Sequence, residues 1–449
     1  MQSILPQKLR ALAQNLPAPL YVVGGFVRDF LAGLYRKTEK PDLDICAPLS
    51  ADDFLAVAKV QGFSVRSVFR NTGTVKLADS DGVEYEFSSF RSDEYVRGVH
   101  TPTAVFFTND IQKDARRRDF TCNAVYYNIQ RGEFADPLLG IPAIREKRLT
   151  TVAPAIKVFG EDGLRLMRLC RQAAQLGFTP DRECLQGAKE NAALIADISP
   201  ERIYSELCAV LTADEKYGVQ GGAYKGLSLL SSLGILDVIL PELALGRGME
   251  QPAAYHDFDV LGHSLQTVRY APSHLRLAAL LHDIGKPACK LKNGNFHEHH
   301  EVGAELAKTA LARLKAPKKT IEQVCALTLW HMYDFDCNTS EKKLRRFLVS
   351  NAKLLRDLLA LKQADYSACK GDLAPAPTCV RWNALTQKMQ AEGVPFSLKE
   401  LAVKGNDLTA LVPQHKIADI LHSLLMHVAV FPKDNQKQRL LTLASKLIP

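Results

Sequence analysis

The stretch "YVVGGFVRDFLAGLYRKTEKPDLDICAP", residues 21–48, decides the fold of the first part of the chain. The apolar run before the glycines predicts a buried strand, the pair Gly24 and Gly25 a tight turn, and "FVRDFLAGL" a helix after it. Glycines at such a turn let backbone N–H groups approach a phosphate, and the helix N-terminus adds positive potential. Arg28 would add a guanidinium to the same triphosphate. The alternative is a strand–turn–helix in which the glycines only make the turn.

Two aspartates, Asp42 and Asp44, follow in "PDLDIC". Residues i and i+2 of a strand face the same side, so the two carboxylates project together while Leu43 and Ile45 point into the core. Carboxylates held that close repel one another unless a cation lies between them, and Mg²⁺ suits such oxygen ligands. Two such ions activate an attacking hydroxyl and stabilise a leaving pyrophosphate. An isolated pair of this kind is more often a solvated strand edge, but the upstream "GGFVRD" favours metal-dependent nucleotidyl transfer.

The composition is that of an ordinary soluble protein, with 449 residues, 47% hydrophobic and 24% charged. A net charge of +8 fits a polyanionic partner such as RNA, although proteins that bind no nucleic acid often carry as much. The ten cysteines are scattered without a CxxC pair, which indicates reduced thiols in the cytoplasm. The longest apolar region is broken by Asp237 and Pro241 before it could span a membrane, so no membrane partner is expected.

The secondary-structure signals change along the chain. Residues 1–150 contain six short β-rich runs among a few helical stretches, which predicts an α/β or α+β domain. From about residue 151 the apolar residues recur at helical spacing and strand signals nearly vanish. Within this all-α part, Gly and Pro mark plausible boundaries at 246–255 and 371–378.

"GGFVRD" followed by "DLDI" resembles the nucleotidyltransferase head of the DNA polymerase β superfamily. More specifically, it resembles bacterial CCA-adding enzymes (class II tRNA nucleotidyltransferases) and the related bacterial poly(A) polymerases. "RRRDFTCNAVYYN", residues 116–128, is similar to their RRDFxxNA motif, although three arginines in a row also suit a solvated basic surface. The segment "FRSDEYVRGVHTPTAV" resembles the family's flexible loop at full length, which favours addition of both C and A.

The resemblance implies roles for individual residues of the head. Asp42 and Asp44 would be the catalytic metal ligands, and Glu86 in "VEYEF" would be a third metal carboxylate unless it only belongs to a surface strand. The residues implied to hold the triphosphate are Gly25, Arg28 and Arg117, with Arg118 as the alternative to Arg117.

A later stretch, "GEDGLRLMRLCRQAAQLGF" (160–178), carries charged residues at intervals of three on a predicted helix. Each such step turns the helix by about 300°, so neighbours lie about 60° apart and the four residues cannot all face one ligand, whereas Asp162 and Arg165 can. A carboxylate can accept from an exocyclic amine while the guanidinium beside it donates to the adjacent ring nitrogen, which matches cytosine and adenine but not guanine or uracil. The alternative is a surface salt bridge.

This stretch also resembles the family's EDxxRxxRxxR pattern, which favours selection of CTP and ATP without a template. The resemblance makes Arg168 and Arg171 candidates for triphosphate or RNA contacts, and Glu161 would hold Arg165 or cap the helix.

Five further segments together resemble an HD domain: "VLGHSL", "LLHDIGKP", "HEHHEVGAEL", "LWHMYD" and "KQADYSA". The implied metal ligands are His263, His282, Asp283, His300, His331 and Asp365. Imidazole and carboxylate ligands together suit Mn²⁺, Ni²⁺ or another transition metal better than Mg²⁺, and a bound hydroxide could hydrolyse phosphate esters. Relatives carry HD domains that are either active or only a scaffold, and the spacing does not decide between these alternatives.

The resulting prediction is an α+β protein with a polymerase-β-like head at 1–150, a helical neck at 151–250, an HD domain at 251–370 and a helical tail at 371–449 that contacts tRNA. The expected reaction is attack of the tRNA 3′-hydroxyl on the α-phosphate of CTP or ATP, with Mg²⁺ at the head and no obligate protein partner. The alternatives are a poly(A) polymerase, a CC-only-adding enzyme, and an HD phosphohydrolase whose head only senses nucleotides.

Overall fold

The computed structural model describes residues 1–36, 42–96, 102–253 and 257–447. The chain forms two compact units, Met1–Pro241 and Glu242–Pro449. Of the predicted region boundaries, only the one near 250 lies close to the division between the units. The other two fall inside units, where Asp119 pairs with Arg168 across the first boundary and Arg345 pairs with Glu392 across the second.

Short strands build the first part of unit 1, and the six predicted β-rich runs all contain one. In chain order the strands are β1 (Tyr21–Val23), β2 (Leu43–Ala47), β3 (Ser64–Phe69), β4 (Thr74–Ala78), β5 (Glu84–Ser89), β6 (Arg91–Glu94), β7 (Ala104–Phe107), β8 (Tyr126–Asn128), β9 (Glu133–Ala135), β10 (Arg148–Leu149) and β11 (Thr179–Pro180). Seven of them form one sheet in the order β3-β4-β5-β2-β1-β8-β9. The β2–β5 pair is parallel and its neighbours are antiparallel. The mixed sheet confirms the predicted α+β class.

The centre of this sheet places Asp44. In the β1–β2 ladder Val23 lies opposite Asp44, and in the parallel β2–β5 ladder Asp44 lies beside Glu86. Leu43 and Ile45 are fully buried on the other face, as the alternation of the strand predicts. The buried neighbours of Asp44 in the strand therefore hold its carboxylate on the opposite side of the sheet.

Helices cover the sheet and complete unit 1. They are α1 (Gln7–Asn15), α2 (Gly25–Leu31), α3 (Ala51–Val60), α4 (Ile111–Arg116), α5 (Gly140–Arg145), α6 (Ala155–Glu161), α7 (Leu164–Leu176), α8 (Arg182–Glu190), α9 (Pro200–Leu211), α10 (Ala213–Tyr217), α11 (Gly222–Ser232) and α12 (Ile235–Ile239). On α7 most residues are buried, because this amphipathic helix contacts α9 and α11 on its apolar side. Its charged residues are thereby held at the edge of the head.

Unit 2 is helical throughout its described residues. Its helices are α13 (Pro241–Ala244, which begins at the last residue of unit 1), α14 (Val260–Tyr270), α15 (Arg276–Leu281), α16 (Lys286–Asn293), α17 (His299–Arg313), α18 (Lys318–Trp330), α19 (Glu341–Ser350), α20 (Leu355–Lys370), α21 (Pro377–Ala391), α22 (Gly405–Leu408), α23 (Ile417–Val428) and α24 (Lys437–Lys446). None of the helices in the described ranges combines the length and apolar composition needed to cross a bilayer.

Candidate active site and metal centre

The glycine pair after β1 permits a tight turn and also leaves room for the carboxylate of Asp44. Gly24 has φ of +80°, and a Cβ added there would lie 2.8 Å from Oδ2 of Asp44. Only glycine meets both conditions without strain. Gly25 begins α2, and a Cβ there would lie 3.5 Å from a terminal nitrogen of Arg28, an ordinary contact. The first glycine is therefore required by the close approach of Asp44.

The carboxylates at the start of β2 are electrostatically crowded. Burial raises the pKa of Asp44 to about 6; Arg118 opposes this rise, whereas Asp42 and Glu86 add to it. Glu86 is also paired with Lys76 at 3.1 Å. A group of carboxylates that destabilise one another in their charged forms suits a divalent cation, which would hold them deprotonated. The residues present thus fit a metal site.

One cleft of about 380 Å³ brings the distant head motifs together. The predicted site residues that line it are Gly25, Arg28, Asp42, Asp44, Arg117, Asp162, Arg165, Arg168 and Arg171. Four further polar lining residues were missed by the sequence analysis: Gln172 and Gln175 on α7, Arg202 on α9 and Lys216 on α10. Neither Arg202 nor Lys216 lies in a motif described above, so no sequence signal singled them out. Of the predicted head residues, Glu86 alone does not line this cleft among the described residues.

A buried hydrogen-bond network joins α2 to α7 beneath this cleft. Arg28 donates to Oδ1 of Asn123 at 2.8 Å, and Asn123 donates in turn to Asp119 at 2.8 Å. Asp119 is paired with Arg168 at 2.6 Å, and Gln172 also donates to it. Burial alone would raise the pKa of Asp119, but Arg168 and Asn123 hold it well below its ordinary value. The motif residues Asp119 and Asn123 therefore support the arginines.

Replacing Asp119 with asparagine is expected to lower the free energy of unfolding by about 2–3 kcal/mol, because the buried carboxylate loses its charge-assisted hydrogen bonds with Arg168, which is partly exposed, and with Asn123. The folded pKa of Asp119 lies below its ordinary 3.8, so this difference is present above about pH 4 and shrinks as the pH falls below it. Urea unfolding at pH 7 and pH 3.5 measures both effects. The matched change Asp52→Asn, in an exposed pair with Arg70, is expected to cost less than about 1 kcal/mol. Equal losses in both variants would contradict the role given to Asp119.

The adjacent arginines Arg117 and Arg118 share one buried carboxylate. Their nitrogens lie 2.7 and 3.2 Å from the two oxygens of Asp114. Although burial opposes it, this pairing lowers the pKa of Asp114 to about 2. Arg118 also lies over the ring of Tyr126 and donates to its hydroxyl. Both arginines line the cleft, so both stay candidates for the triphosphate contact.

The predicted helix over 160–178 is interrupted where its first acidic residues lie. Helix α6 ends at Glu161, Asp162 is extended with φ of −146°, and α7 starts at Leu164. Gly163 packs against backbone at this break, since a Cβ there would lie 2.6 Å from the carbonyl oxygen of Leu194. The prediction that Asp162 and Arg165 share a helix face is therefore wrong, although both residues line the cleft.

Protein contacts orient both members of this pair. Arg165 donates to Glu161 at 3.0 Å and to the carbonyl oxygens of Val158 and Arg117. Glu161 thus holds Arg165. A guanidinium has five N–H donors. The three hydrogen bonds that Arg165 makes to the described residues leave two of these donors for a ligand. Within the described ranges, Asp162 accepts from the backbone N–H of Leu164 through Oδ1 alone, which leaves Oδ2 to accept from a base.

The last arginine of the pattern, Arg171, faces a different partner. It is paired with Glu206 on α9 at 2.7 Å. Burial lowers its pKa and Glu206 opposes that effect. The expected contact between Arg171 and a nucleotide is therefore supported by the position of Arg171 in the cleft lining and not by a free guanidinium.

In unit 2, buried histidines surround Asp283. His282, His299 and His331 each donate a hydrogen bond from Nδ1 to a backbone carbonyl three residues earlier, at 2.6–2.8 Å. With Nδ1 protonated, each Nε2 keeps its lone pair for a metal. This is the orientation that metal-binding histidines usually show. The cluster therefore fits a metal centre.

The two oxygens of Asp283 face different groups. Oδ2 lies 3.3 Å from Nε2 of His282 and 3.6 Å from that of His263, while Oδ1 lies 3.2 Å from His299 and 3.5 Å from His331. The sixth predicted ligand, Asp365, completes the first group through Oδ1, 2.9 Å from Nε2 of His263. Two sets of potential ligands thus meet at one carboxylate.

The structure corrects one member of the predicted ligand set. His299 lies in the cluster and is nearly fully buried, whereas the predicted His300 is partly exposed and lies 4.0 Å from Glu301. Both histidines are at the start of α17, where neighbouring residues project about 100° apart. Only one of them can face Asp283.

Comparison with known proteins agrees with this arrangement. The family described as Poly A polymerase head domain matches residues 20–150, and the HD domain family matches 259–368. The family described as a probable RNA and SrmB-binding site of polymerase A matches 177–245. The first and second of these families imply that the chain depends on divalent metal ions.

Several curated proteins are similar over much of the chain. An A-adding tRNA nucleotidyltransferase of Deinococcus radiodurans is 29% identical over 91% of this chain and 91% of its own. A CC-adding tRNA nucleotidyltransferase of Thermus thermophilus is 32% identical over 79% of this chain and 77% of its own. A CCA-adding enzyme of a Geobacillus species is 34% identical over 54% of this chain and 55% of its own.

The fold is shared with a solved structure. The Bacillus stearothermophilus CCA-adding enzyme in complex with CTP superposes with a TM-score of 0.66 at 24% identity, covering 98% of this chain and 96% of that one. Together with the extensive similarity to the CC-adding protein, these findings place the chain in the family of bacterial tRNA nucleotidyltransferases that carry a polymerase head and an HD domain.

Proposed function

We propose that this protein adds the CCA sequence to the 3′ end of tRNA, using CTP and ATP without a nucleic-acid template. The observation that carries this proposal is the single cleft lined by both the carboxylates of β2 and the Asp162–Arg165 pair. A nucleotide lying in it would have its phosphates beside Asp44 and its base beside Arg165. The A-adding and CC-adding relatives are both tRNA nucleotidyltransferases by name.

The reaction is attack of the tRNA 3′-hydroxyl on the α-phosphate with release of pyrophosphate. Asp42 and Asp44, with Glu86 beside them, would hold Mg²⁺, which when bound neutralises phosphate charge and lowers the pKa of the attacking hydroxyl. Arg28, together with Arg117 or Arg118, binds the triphosphate. Gly25 at the start of α2 lets the backbone approach the phosphates.

Base selection follows from the polarity of the Asp162–Arg165 pair. Oδ2 of Asp162 accepts from the amino group of cytosine or adenine, and a remaining N–H of Arg165 donates to the neighbouring ring nitrogen. Uracil and guanine present a carbonyl and an N–H there, which reverses both interactions. Arg168 and Arg171, in the same lining, suit a phosphate of the nucleotide or of the RNA end.

The tRNA itself is expected to contact both units mainly through its phosphates. The RNA-binding family match at 177–245, the net charge of +8 and the helices from residue 371 onward support this arrangement. All ten cysteines are unpaired, which suits the reducing cytoplasm, where we place the protein.

Product sequencing tests the proposal. Transcripts of tRNA that lack the last three nucleotides are incubated with CTP, ATP or both. Addition of CC with CTP alone and of CCA with both nucleotides is the expected result. A CC product in both reactions would indicate a CC-only-adding enzyme, and homopolymeric A on unrelated RNA a poly(A) polymerase. Addition of A only to transcripts that already end in CC would indicate an A-adding enzyme, and no product on either kind of transcript a chain that only senses nucleotides.

A second function is supported by the division of ligands around Asp283. We propose that the HD site holds two transition-metal ions such as Mn²⁺ or Ni²⁺, one on each side of this carboxylate, and hydrolyses phosphate esters. A cavity of about 790 Å³ opens onto it, lined by Asp283, His299, His331 and Asp365. When bound, such ions supply a hydroxide at neutral pH and stabilise phosphoryl charge. Loss of ester hydrolysis in Asp283→Asn with nucleotide addition intact tests this function.

The neighbouring histidines of α17 provide a matched pair of variants. His299→Ala is expected to weaken Mn²⁺ binding at least about tenfold, because a direct ligand should contribute no less than an outer contact. His300→Ala, one residue away and partly exposed, is expected to change it less than about twofold, since its side chain lies outside the cluster. Calorimetric titration of Mn²⁺ into both variants measures the difference. The reverse order would restore the ligand set predicted from the sequence.

A further inference from the structure

A cysteine adjoins one side of the HD ligand cluster. Cys369 lies on α20, one turn after Asp365, and its sulfur lies within 4.8 Å of ligand atoms of both His263 and Asp365. Cys369 and Asp283 both line the cavity of about 790 Å³. Residues four apart on a helix project to the same side, so the carboxylate and the thiol face the same region. Among the described residues, Cys369 is the only cysteine in such a group.

A second observation points to an ion at the same position. Nε2 of His282 is buried and makes no hydrogen bond of acceptable geometry with the described residues, while its Nδ1 donates to Ala279. This Nε2 lies 3.5 Å from Oδ1 of Asp365, the oxygen that also contacts His263. Oδ1 of Asp365 therefore lies close to both imidazoles, and the thiol of Cys369 adjoins it on the side of His263.

The two sides of Asp283 consequently differ in chemistry. The side of His263 and Asp365 includes a sulfur donor, whereas the group of Asp283, His299 and His331 includes none. Thiolates bind borderline and soft ions such as Zn²⁺ and Co²⁺ much better than Mg²⁺ or Mn²⁺. A metal ion also lowers the pKa of a coordinating thiol enough to deprotonate it.

We propose that Cys369 is a direct thiolate ligand of an ion held together with His263 and Asp365, and that it makes this position select Zn²⁺ or Co²⁺. The inference rests on the proposed HD metal site and adds a ligand to it. On binding, the sulfur–metal bond forms and the thiol proton is released to solvent. The position on the side of His299 and His331, with nitrogen and oxygen ligands only, takes Mn²⁺ more readily.

Cobalt titration of the full-length protein tests the sulfur ligand without measuring activity. A thiolate bound to Co²⁺ gives a near-ultraviolet charge-transfer band, whereas nitrogen and oxygen ligands give only weak visible bands. The band is expected in the unchanged protein and absent in Cys369→Ser. This variant should bind Co²⁺ at least about tenfold more weakly and Mn²⁺ within about threefold of the unchanged protein. The matched control Cys325→Ser removes a thiol that donates to the carbonyl of Ala304, as the thiol of Cys369 donates to that of Asp365, but that lies in none of the ligand groups of the described residues; it should keep the band.

Alkylation of the unchanged protein provides a readout that does not depend on any variant folding. Zn²⁺ is expected to slow the reaction of Cys369 with iodoacetamide and to leave Cys325 unaffected, as mapped by mass spectrometry. Cobalt binding without the near-ultraviolet band, or with the band retained in Cys369→Ser, would overturn the role of Cys369 and leave the HD metal site standing. A protein that binds no Co²⁺, Zn²⁺ or Mn²⁺ would overturn both.

Discussion

Asp44→Asn is expected to lower the rate of nucleotide addition at least about 10³-fold, because the metal interactions that it removes are worth several kcal/mol in the transition state. The amide keeps the shape of the side chain and the packing of Leu43 and Ile45 on the other face of β2. Nucleotide binding should change much less, since Arg28 and the arginines after α4 stay in place. Single-turnover addition of one C to a tRNA transcript, with CTP binding measured in parallel, separates the two effects.

The same substitution is expected to stabilise the metal-free protein. The pKa of Asp44 is about 6 in the folded chain, above its ordinary 3.8, so ionisation of this carboxyl opposes folding as the pH rises through this range. At pH 7 the asparagine variant should therefore unfold with a free energy about 1–3 kcal/mol higher. A gain in stability combined with a loss of activity is the usual sign of a strained catalytic group.

A surface acid serves as the control for Asp44. Asp81 is exposed and pairs with Lys8, so Asp81→Asn should leave both rate and stability nearly unchanged. If Asp44→Asn kept activity within about tenfold of the unchanged protein, the loss would fall below the contribution expected of a metal ligand, and the carboxylates of β2 would not be the catalytic pair. That result would favour the alternative in which the head only senses nucleotides.

Asp162→Asn is expected to lower the preference for CTP over UTP at least about 10²-fold. An amide can turn its N–H₂ toward the carbonyl of uracil or guanine, whereas a carboxylate only accepts. Addition of C and A should slow at the same time, because Arg165 loses the neighbour that orients the base with it. Values of kcat/KM for the four nucleoside triphosphates on one tRNA transcript measure the change.

Glu190→Gln provides a matched loss of charge on the exposed side of α8, where Glu190 accepts from Gln186. This control should select nucleotides as the unchanged protein does. Unchanged selectivity in Asp162→Asn would place base recognition elsewhere in the cleft, for example at Lys216, which the sequence analysis missed.

Local patterns predicted the centre of the head well. The alternation in "PDLDIC" placed Asp44 opposite Leu43 and Ile45, and the glycine turn before α2 lies where the sequence expected it. Strand β3 was missed because none of its residues is buried and its apolar signal is weak. Edge strands depend on pairing with a neighbour, which a local pattern does not record.

The errors at the two sites have a common physical origin. The spacing of Asp162 and Arg165 suited one helix, but the contact of Gly163 with the backbone near Leu194 interrupts it. The two histidines at the start of α17 satisfy the same motif spacing, and only the packing of that helix selects His299. Tertiary contacts decided both cases, and neither contact is visible in the order of residues along the chain.

The network of Asp119, Asn123 and Arg168 has a consequence for the entropy of catalysis. It joins Arg28, proposed to bind phosphate, to α7, which carries Arg165, proposed to read the base. Aligning a nucleotide with its partner otherwise costs translational and rotational freedom at every addition. Here the protein side of that alignment is completed once, when the chain folds, and each of the successive additions begins from an ordered site.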